Sequence, residues 1–341
     1  MNLTKRLFFV FLLLKTSFQG ICQEAESNLL FDKKDILRIQ IEANMKALLK
    51  DRGVNPIYHW GKLSYTEGVG DTITLPIKVK VRGNFRRLPT NCNFPPLLID
   101  FSKKKGVNTL FDYQDKLKLV TKCQRDDYVF QEYLVYEAYN IITDLSFKAR
   151  LVEVTYIDSL GKRKPETAHA FFIENEARLA KRLAAKIHPT KNIAMSLSDS
   201  VQMATVAMFE YMIGNNDWSV SALHNIKLMT KTGRLFLPIP YDFDHSGIVE
   251  ANYALPPPQL EIASVRERLY RGLNYSPAVF KEVFDKFNAV KPQIYALYEG
   301  NPKLNSFYIK RTLRYLDDFY DAINDPKAIK RYFVAGKIGN R

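Results

Sequence analysis

Residues 71–82, DTITLPIKVKVR, alternate apolar and polar side chains and are rich in β-branched residues. That period of two marks a strand with one buried face. Gly83-Asn84 then turns the chain, and Leu97 to Phe101 and Lys116 to Thr121 read as two more short strands. Residues 33–50 begin with the same alternation and end in a helical pattern. Ala149–Asp158 and Thr167–Glu174 form a hairpin pattern around Gly161. The period then changes. After a first helix over 129–145, residues 176–187 and 199–213 place their apolar groups at helical spacing, and Ser198-Asp199 is positioned to cap the second of these. Residues 277–334 read as helical as well, with Phe280, Val283, Phe284, Phe287, Ile294, Leu297, Leu313, Leu316 and Phe319 on inner faces. Strands first and helices later predict an α+β chain with two lobes, a β-rich N-terminal lobe over 23–175 and a helical C-terminal lobe over 176–341. A cleft between lobes is the expected ligand site. A hydrophobic content of 46% is enough to fill cores of that size.

The first residues read as an address. Lys5 and Arg6 precede the apolar run Leu7 to Leu14, which is too short to span a bilayer and fits the core of a secretory signal. Gly20 and Cys22 supply small residues for cleavage after Cys22, so residues 1–22 are expected to be removed and the remainder exported, to the periplasm or beyond, with no stable membrane insertion afterwards. Cys92 and Cys123 then remain, and an even count in an exported chain predicts a disulfide from the Asn91–Asn93 loop to the end of the strand at Leu117–Val120. The formal net charge of +14 favours acidic partners, yet the basic runs Lys103-Lys104-Lys105 and Lys162-Arg163-Lys164 look like loop tips. They lack interleaved aromatic residues, which argues against single-stranded nucleic acid as a partner.

The chemistry concentrates between Gly214 and Gly247. There the chain reads GNNDWSVSALHNIKLM, turns at Lys231-Thr232-Gly233, and continues as LFLPIPYDFDHSG. Two polar segments flank an apolar hairpin, and they carry Asp217, Asn225, Asp242 and Asp244. Phosphoryl transfer requires such a set: one carboxylate to orient the attacking hydroxyl, an amide and a second carboxylate to hold a metal on the phosphates. On an extended segment Asp242 and Asp244 project to the same face and reach one metal pair. Turn chemistry also favours Asp and Asn, so the same residues admit a purely structural reading.

Taken in order, Arg82-Gly83-Asn84, the run Met212 to Asp217, His224-Asn225 and the run Pro240 to Asp244 resemble the CotH-type atypical kinases, and more loosely the protein-kinase-like fold that includes HipA-like kinases. The resemblance covers most of residues 70–290. It implies a two-lobed kinase-like fold with the 129–145 helix in the αC position and the strand ending at Glu174 leading into a nucleotide-binding hinge. It implies ATP with Mg²⁺ or Mn²⁺ as cofactor, Asp217 as the catalytic carboxylate, and Asn225 and Asp242 as metal ligands with Asp244 as a second candidate. Lys118 would position the ATP phosphates, paired with Glu132 or Glu137 of the helix. Arg82, with Arg266 or Arg268, would supply further phosphate-binding cations. The acceptor would be a protein of the cell envelope, or the chain itself.

Two other readings remain open at this stage. One is a kinase-fold binding or adhesion protein of the envelope without turnover, which the sequence TNCNFPP at 90–96 favours, because CotH-like chains carry lysines there. The other is an unrelated metal-dependent enzyme with His224 and His245 as ligands. A serine hydrolase lacks its GxSxG elbow, and two carboxylates two residues apart on one strand do not face each other across a sugar.

Overall fold

The computed structural model describes residues 29–66, 70–101, 106–231, 233 and 235–334. The expected signal segment, residues 1–22, and the Lys103–Lys105 run lie outside these residues. After a short helix α1 (Leu29–Asp32) come β1 (Leu37–Ala43), α2 (Met45–Lys50), β2 (His59–Thr66), β3 (Thr72–Val81), β4 (Leu97–Phe101) and β5 (Lys116–Val120). The long helix α3 (Asp126–Ile142) leads into the hairpin β6 (Ala149–Asp158) and β7 (Glu166–Ile173).

These seven strands close into a barrel in the order β1-β2-β3-β4-β5-β7-β6. The closing contact is parallel, with β1 running beside β6 from Leu37↔Val152 to Ala43↔Asp158, whereas every other pair is antiparallel. Period-two patterning explains the closure. Ile39 and Ile41, Leu75, Ile77 and Val79, Leu117 and Leu119, and Val152 and Val154 all turn inward and are buried together. Joining the ends of such a sheet removes both of its edges.

The helical half is more mixed than its pattern suggests. α4 (Glu176–Arg182) stops early, and β8 (Lys186–His188) follows where the apolar spacing predicted one helix over 176–187. After α5 (Ser200–Ile213), β9 (Ile226–Thr230) and β10 (Phe236–Pro240) join β8 in a small antiparallel sheet, β10-β9-β8. α6 (Pro277–Ala296), α7 (Ser306–Asn324) and α8 (Pro326–Ile329) complete the chain, the last continuing into one π-helical turn, Lys330–Val334.

The two-lobed kinase-like expectation is therefore overturned. The first half is a closed barrel, not an open lobe, and the second half is not an all-helical lobe. The hydrophobic interior also ignores the proposed division. α3 packs on the outer faces of β6 and β7 and against α6. The strands sort their residues by face: Phe171 and Ile173 of β7 join the helical core, while Ala170 and Phe172 join the barrel interior. A wall buried on both faces fuses barrel and helices, because each face needs an apolar cover.

Cys92 and Cys123 form a disulfide. It closes a loop of 31 residues in sequence and ties the 82–96 connection to the segment after β5. Closing a loop of that length restricts the unfolded chain by about 3–4 kcal/mol.

Candidate functional site

α5 ends where the site begins. Asp199 caps its first turn through Gln202 N–H at 2.9 Å, and Gly214 ends it in the left-handed region at φ +67°. A Cβ at that position would run into the Tyr315 hydroxyl, so glycine suits both the dihedral and the space. The released chain delivers Asp217 three residues on. Asn215 Oδ1 accepts the Asp217 N–H at 3.0 Å, and Asn225 Nδ2 donates to the Asp217 carbonyl at 2.7 Å and to its carboxylate at 3.2 Å. His224 Nε2 sits 2.8 Å from the other carboxylate oxygen. Burial alone would raise the Asp217 pKa, but the hydrogen bond and charge of His224 outweigh it and hold the carboxyl below its usual range. The same hydrogen bond raises His224 above the ordinary imidazole value.

The β9–β10 hairpin brings the second segment alongside. Its register ends at Ile226↔Pro240, and Tyr241 N–H donates to the Asn225 carbonyl at 3.0 Å. Asn225 and Asp242 therefore leave the two legs of one hairpin side by side. Both have left-handed backbone, φ +52° and +65°. Asn and Asp tolerate that region best among residues with a Cβ, and such strain gathers at functional sites. Tyr136 of α3 holds Asp242 in place, its hydroxyl accepting the Asp242 N–H at 2.9 Å.

Asp242 and Asp244 do converge on a single cation, but it is a guanidinium. Arg86 Nη2 lies 3.1 Å from Asp242, Nε lies 3.2 Å from Asp244, and Nη1 lies 3.3 Å from Glu132 of α3. The expected extended geometry fails because β10 stops at Pro240 and Asp242 turns left-handed. Arg86 is buried, and Asp244 and Glu132 are sealed from solvent with it, whereas 39% of the Asp242 side chain remains exposed. Burial would lower the Arg86 pKa, but Asp244 and Glu132 hold it well above the ordinary value. Burial pushes Glu132 up to about 8 despite Arg86, and raises Asp244 as well. Glu132 Oε1 has no hydrogen-bond partner.

Four cations frame this cluster. Lys118 of β5 and Lys227 of β9 both reach Glu176 of α4, at 3.5 and 2.9 Å. Both also lie over the Tyr241 ring, 5.2 and 5.4 Å from its centroid. Burial, with Arg82 nearby, lowers the Lys118 pKa. Burial lowers Arg82 also, and Asp242 is the main charge working against that shift. Arg86 is the fourth.

Other predicted residues lie elsewhere. Lys118 pairs with neither glutamate of α3. Glu137 pairs with Lys34 instead, because five residues of helix turn it about 140° away from Glu132. Glu174 is buried in a forked pair with Arg182, at 3.0 and 2.9 Å, and accepts the Lys148 N–H at 3.1 Å. It fastens β7 to α4. Arg268 donates to the Tyr211 and Met212 carbonyls and stacks on Tyr315, 3.5 Å from the ring centroid, while Arg266 reaches Gly247 O and Glu250. Both anchor backbone. His245 sets its ring edge against Phe85 and packs on Tyr253.

Residues that the sequence did not single out complete the floor. Glu210, in the last turn of α5, is buried with both carboxyl oxygens unpartnered, as are Asn215 Nδ2, Asn216 Oδ1 and Ser246 Oγ. Burial raises the Glu210 pKa well above normal, with Asn215 and Arg271 opposing. Arg271 itself donates to the Asn216 and Trp218 carbonyls at 2.8 and 2.7 Å. A lone acid within the apolar helix SVQMATVAMFEYMI was the available signal for Glu210. Arg86 had none beyond its neighbour Arg82.

Among the described residues no group of three or more His, Cys, Asp or Glu side chains is arranged to hold a metal ion by itself. The donor chemistry suits Mg²⁺ in another way. Asn225 spends its Nδ2 on Asp217, which leaves Oδ1 as a hard donor, and Asp242 has one oxygen beyond Arg86. Mg²⁺ is commonly bound by one or two such oxygens together with substrate phosphates.

Compared with models of known protein families the chain matches none, and no curated protein matches it significantly.

Proposed function

We propose that this chain is an exported phosphotransferase, related to CotH-type kinases through these site residues, which moves the γ-phosphoryl group of ATP onto a hydroxyl of an envelope protein or of itself. One observation carries the reading. A single amide, Asn225, holds the Asp217 carboxylate with its nitrogen and stands beside Asp242 at the mouth of one hairpin. A proton acceptor and two hard oxygen donors are thereby set next to each other, as phosphoryl transfer demands.

Each side chain has a distinct task. Asp217, kept ionised by His224, orients the acceptor hydroxyl and takes its proton. Asn225 Oδ1 and Asp242 would hold Mg²⁺, which when bound neutralises charge on the phosphate oxygens. Lys118, Lys227 and Arg82, gathered around Tyr241 and Asp242, receive the remaining phosphate charge. Arg86 fixes where Asp242 sits, and Tyr136 fixes its backbone.

A second reading has its own support. Arg86 already pairs with both Asp242 and Asp244, which suits an envelope binding or adhesion protein without turnover. The test is incubation of residues 23–341 with γ-labelled ATP and Mg²⁺ or Mn²⁺, beside Asp242→Ala. Label on the wild type and none on the variant is the expected result. Nucleotide binding by calorimetry without label favours the binding protein, and neither binding nor label overturns the phosphotransferase.

A further inference from the structure

A second concentration of positive charge lies at the end of the barrel capped by α2, which packs on β3 and β6. A cavity of about 300 Å³ opens there, lined by Lys46 and Lys50 of α2, by Arg52, Lys122 and Arg163, and by one carboxylate, Glu166. Its volume falls at the small end of the range for ligand pockets, roughly 300–1,000 Å³. The cations come from well-separated stretches of sequence, so their convergence is a product of barrel closure.

The charge is poorly balanced. Glu166 is already paired with Lys122. Arg52 spends its guanidinium on neutral acceptors, donating to the Leu49, Cys92 and Asn93 carbonyls at 2.8, 2.6 and 2.5 Å. Lys46, Lys50 and Arg163 have no acidic partner among the described residues. Lys46 and Lys50 are four residues apart on one helix and so project from the same side of it. In a small recess that shares Leu49, Phe94, Arg163 and Glu166 with the cavity lies Asp158, whose two oxygens are taken by the Met45 and Lys162 N–H groups at 3.0 and 2.9 Å. Its carboxylate keeps its charge, yet cavity and recess together hold six cations, Lys46, Lys50, Arg52, Lys122, Arg163 and Lys164, against two carboxylates, Glu166 and Asp158.

An independent feature points to a ligand. Tyr156 lines that recess, is 3% exposed, and its hydroxyl has no hydrogen-bond partner. A buried hydroxyl left unpaired is unfavourable by about 1–3 kcal/mol. Tyr156 lines the recess and not the cavity itself, so an oxygen-rich anion in the cavity supplies the missing partner through one water in the recess.

From the charge, the volume and the open hydroxyl, we infer that this barrel-end cavity binds a phosphate group carried by a small molecule or a lipid head. Phosphate fits better than a carboxylate. Two lysine ammonium ions and the Arg163 fork are left free, three cations that match a compact dianion with several acceptor oxygens better than the single charge of a carboxylate. The Leu49 and Phe94 side chains give the organic part an apolar surface. The inference stands apart from the phosphotransferase reading, because none of these residues belongs to the Asp217–Asp242 site.

Calorimetry on residues 23–341 at low ionic strength, with inorganic phosphate and then glycerol phosphate, tests the site. One saturable phosphate per chain is expected, weakened about tenfold or more by Lys46→Ala with Lys50→Ala, as two lost charge-assisted contacts imply. Tyr156→Phe should weaken it several-fold without unfolding, since only the unpaired hydroxyl is removed. The charge-matched control, Lys310→Ala with Lys327→Ala on distant exposed positions, should bind as the wild type does. Equal weakening in the control, or no saturable binding, overturns the site. Sedimentation with phosphatidic-acid vesicles separates the sources: vesicle binding lost in the α2 variant assigns a lipid head group, and phosphate binding without vesicle binding assigns a free phosphomonoester.

Discussion

The barrel interior and the Arg86 cluster are built on opposite principles within one molecule. Inside the barrel, Ile77, Val79, Leu117, Val154 and Phe172 bury apolar surface against one another without charge. A short distance away, Arg86, Glu132 and Asp244 bury ionisable groups whose charges only each other can compensate. Apolar contacts are exchangeable, since any side chain of the right size gains nearly the same transfer energy. Ionic contacts are not, since loss of one partner strands the others in a poor solvent. The barrel is thus robust and unspecific, and the cluster is fragile and specific. That contrast suits a scaffold that carries a site.

The largest effect should expose this contrast. Arg86→Met keeps most of the volume and removes the charge, leaving three carboxylates facing one another, and should lower unfolding stability by about 3–5 kcal/mol. Phe172→Ala, in the barrel, should lower it by a similar 3–5 kcal/mol through cavity formation. Their pH responses separate them. Without Arg86 the buried carboxylates resist ionisation more strongly, so Arg86→Met should worsen as pH rises from 5 to 8, whereas the Phe172→Ala loss should stay constant. Urea unfolding at several pH values measures both, and parallel pH profiles would break the comparison.

The same contrast explains which parts could be read from the sequence. β3, β6 and β7 announced themselves because alternation is local. β2 did not, since HWGKLSYT buries only Leu63 and Tyr65, and β8 was hidden inside an alanine-rich stretch with helical spacing. The parallel pairing of β1 with β6 closes the barrel across more than a hundred residues, and no local pattern encodes it. Strands followed by helices therefore looked like two lobes. At the site, the segments bearing Asp217, Asn225 and Asp242 were visible, and the structure brings them together around one hairpin. Glu132 was weighed with Lys118, yet its partner is Arg86, which loop geometry alone delivers. A buried ion pair is decided by tertiary convergence, and residue type gives no hint of its partner.

Glu132 sharpens the comparison further. Burial, partly offset by Arg86 and reinforced by Asp244, places its pKa near 8 against an ordinary 4.5. Between those values the folded state holds a proton that the unfolded chain releases. Stability from this group is therefore full below about 4.5 and declines as pH rises toward 8, with a slope of at most about 1.4 kcal/mol per pH unit for one proton. Glu132→Gln keeps the shape and cannot ionise, so it should flatten the profile over that window. An unchanged slope in thermal or urea unfolding would show that the charge in this cluster is settled elsewhere.

The smallest effect belongs to the pair with the largest proposed role. His224 and Asp217 lie at 2.8 Å, yet 54% of the His224 side chain and 30% of Asp217 are exposed. Screening should limit their contribution to about 0–1 kcal/mol. The sign differs at the two ends of the range. The raised His224 contributes below its unfolded value near 6.5 and stops contributing as pH rises through its higher folded value, while the lowered Asp217 contributes above 3.8 and stops as pH falls through its lower folded value. His224→Gln retains a hydrogen-bond donor and removes the charge, so unfolding stability should barely move. If Asp217 takes the hydroxyl proton, the variant should instead shift the acid limb of the rate of phosphoryl transfer toward higher pH, because the imidazolium no longer holds the carboxyl ionised. A change in stability without that shift would make the pair a turn clamp, like Glu174 with Arg182, and return Asp217 to the scaffold side of the comparison.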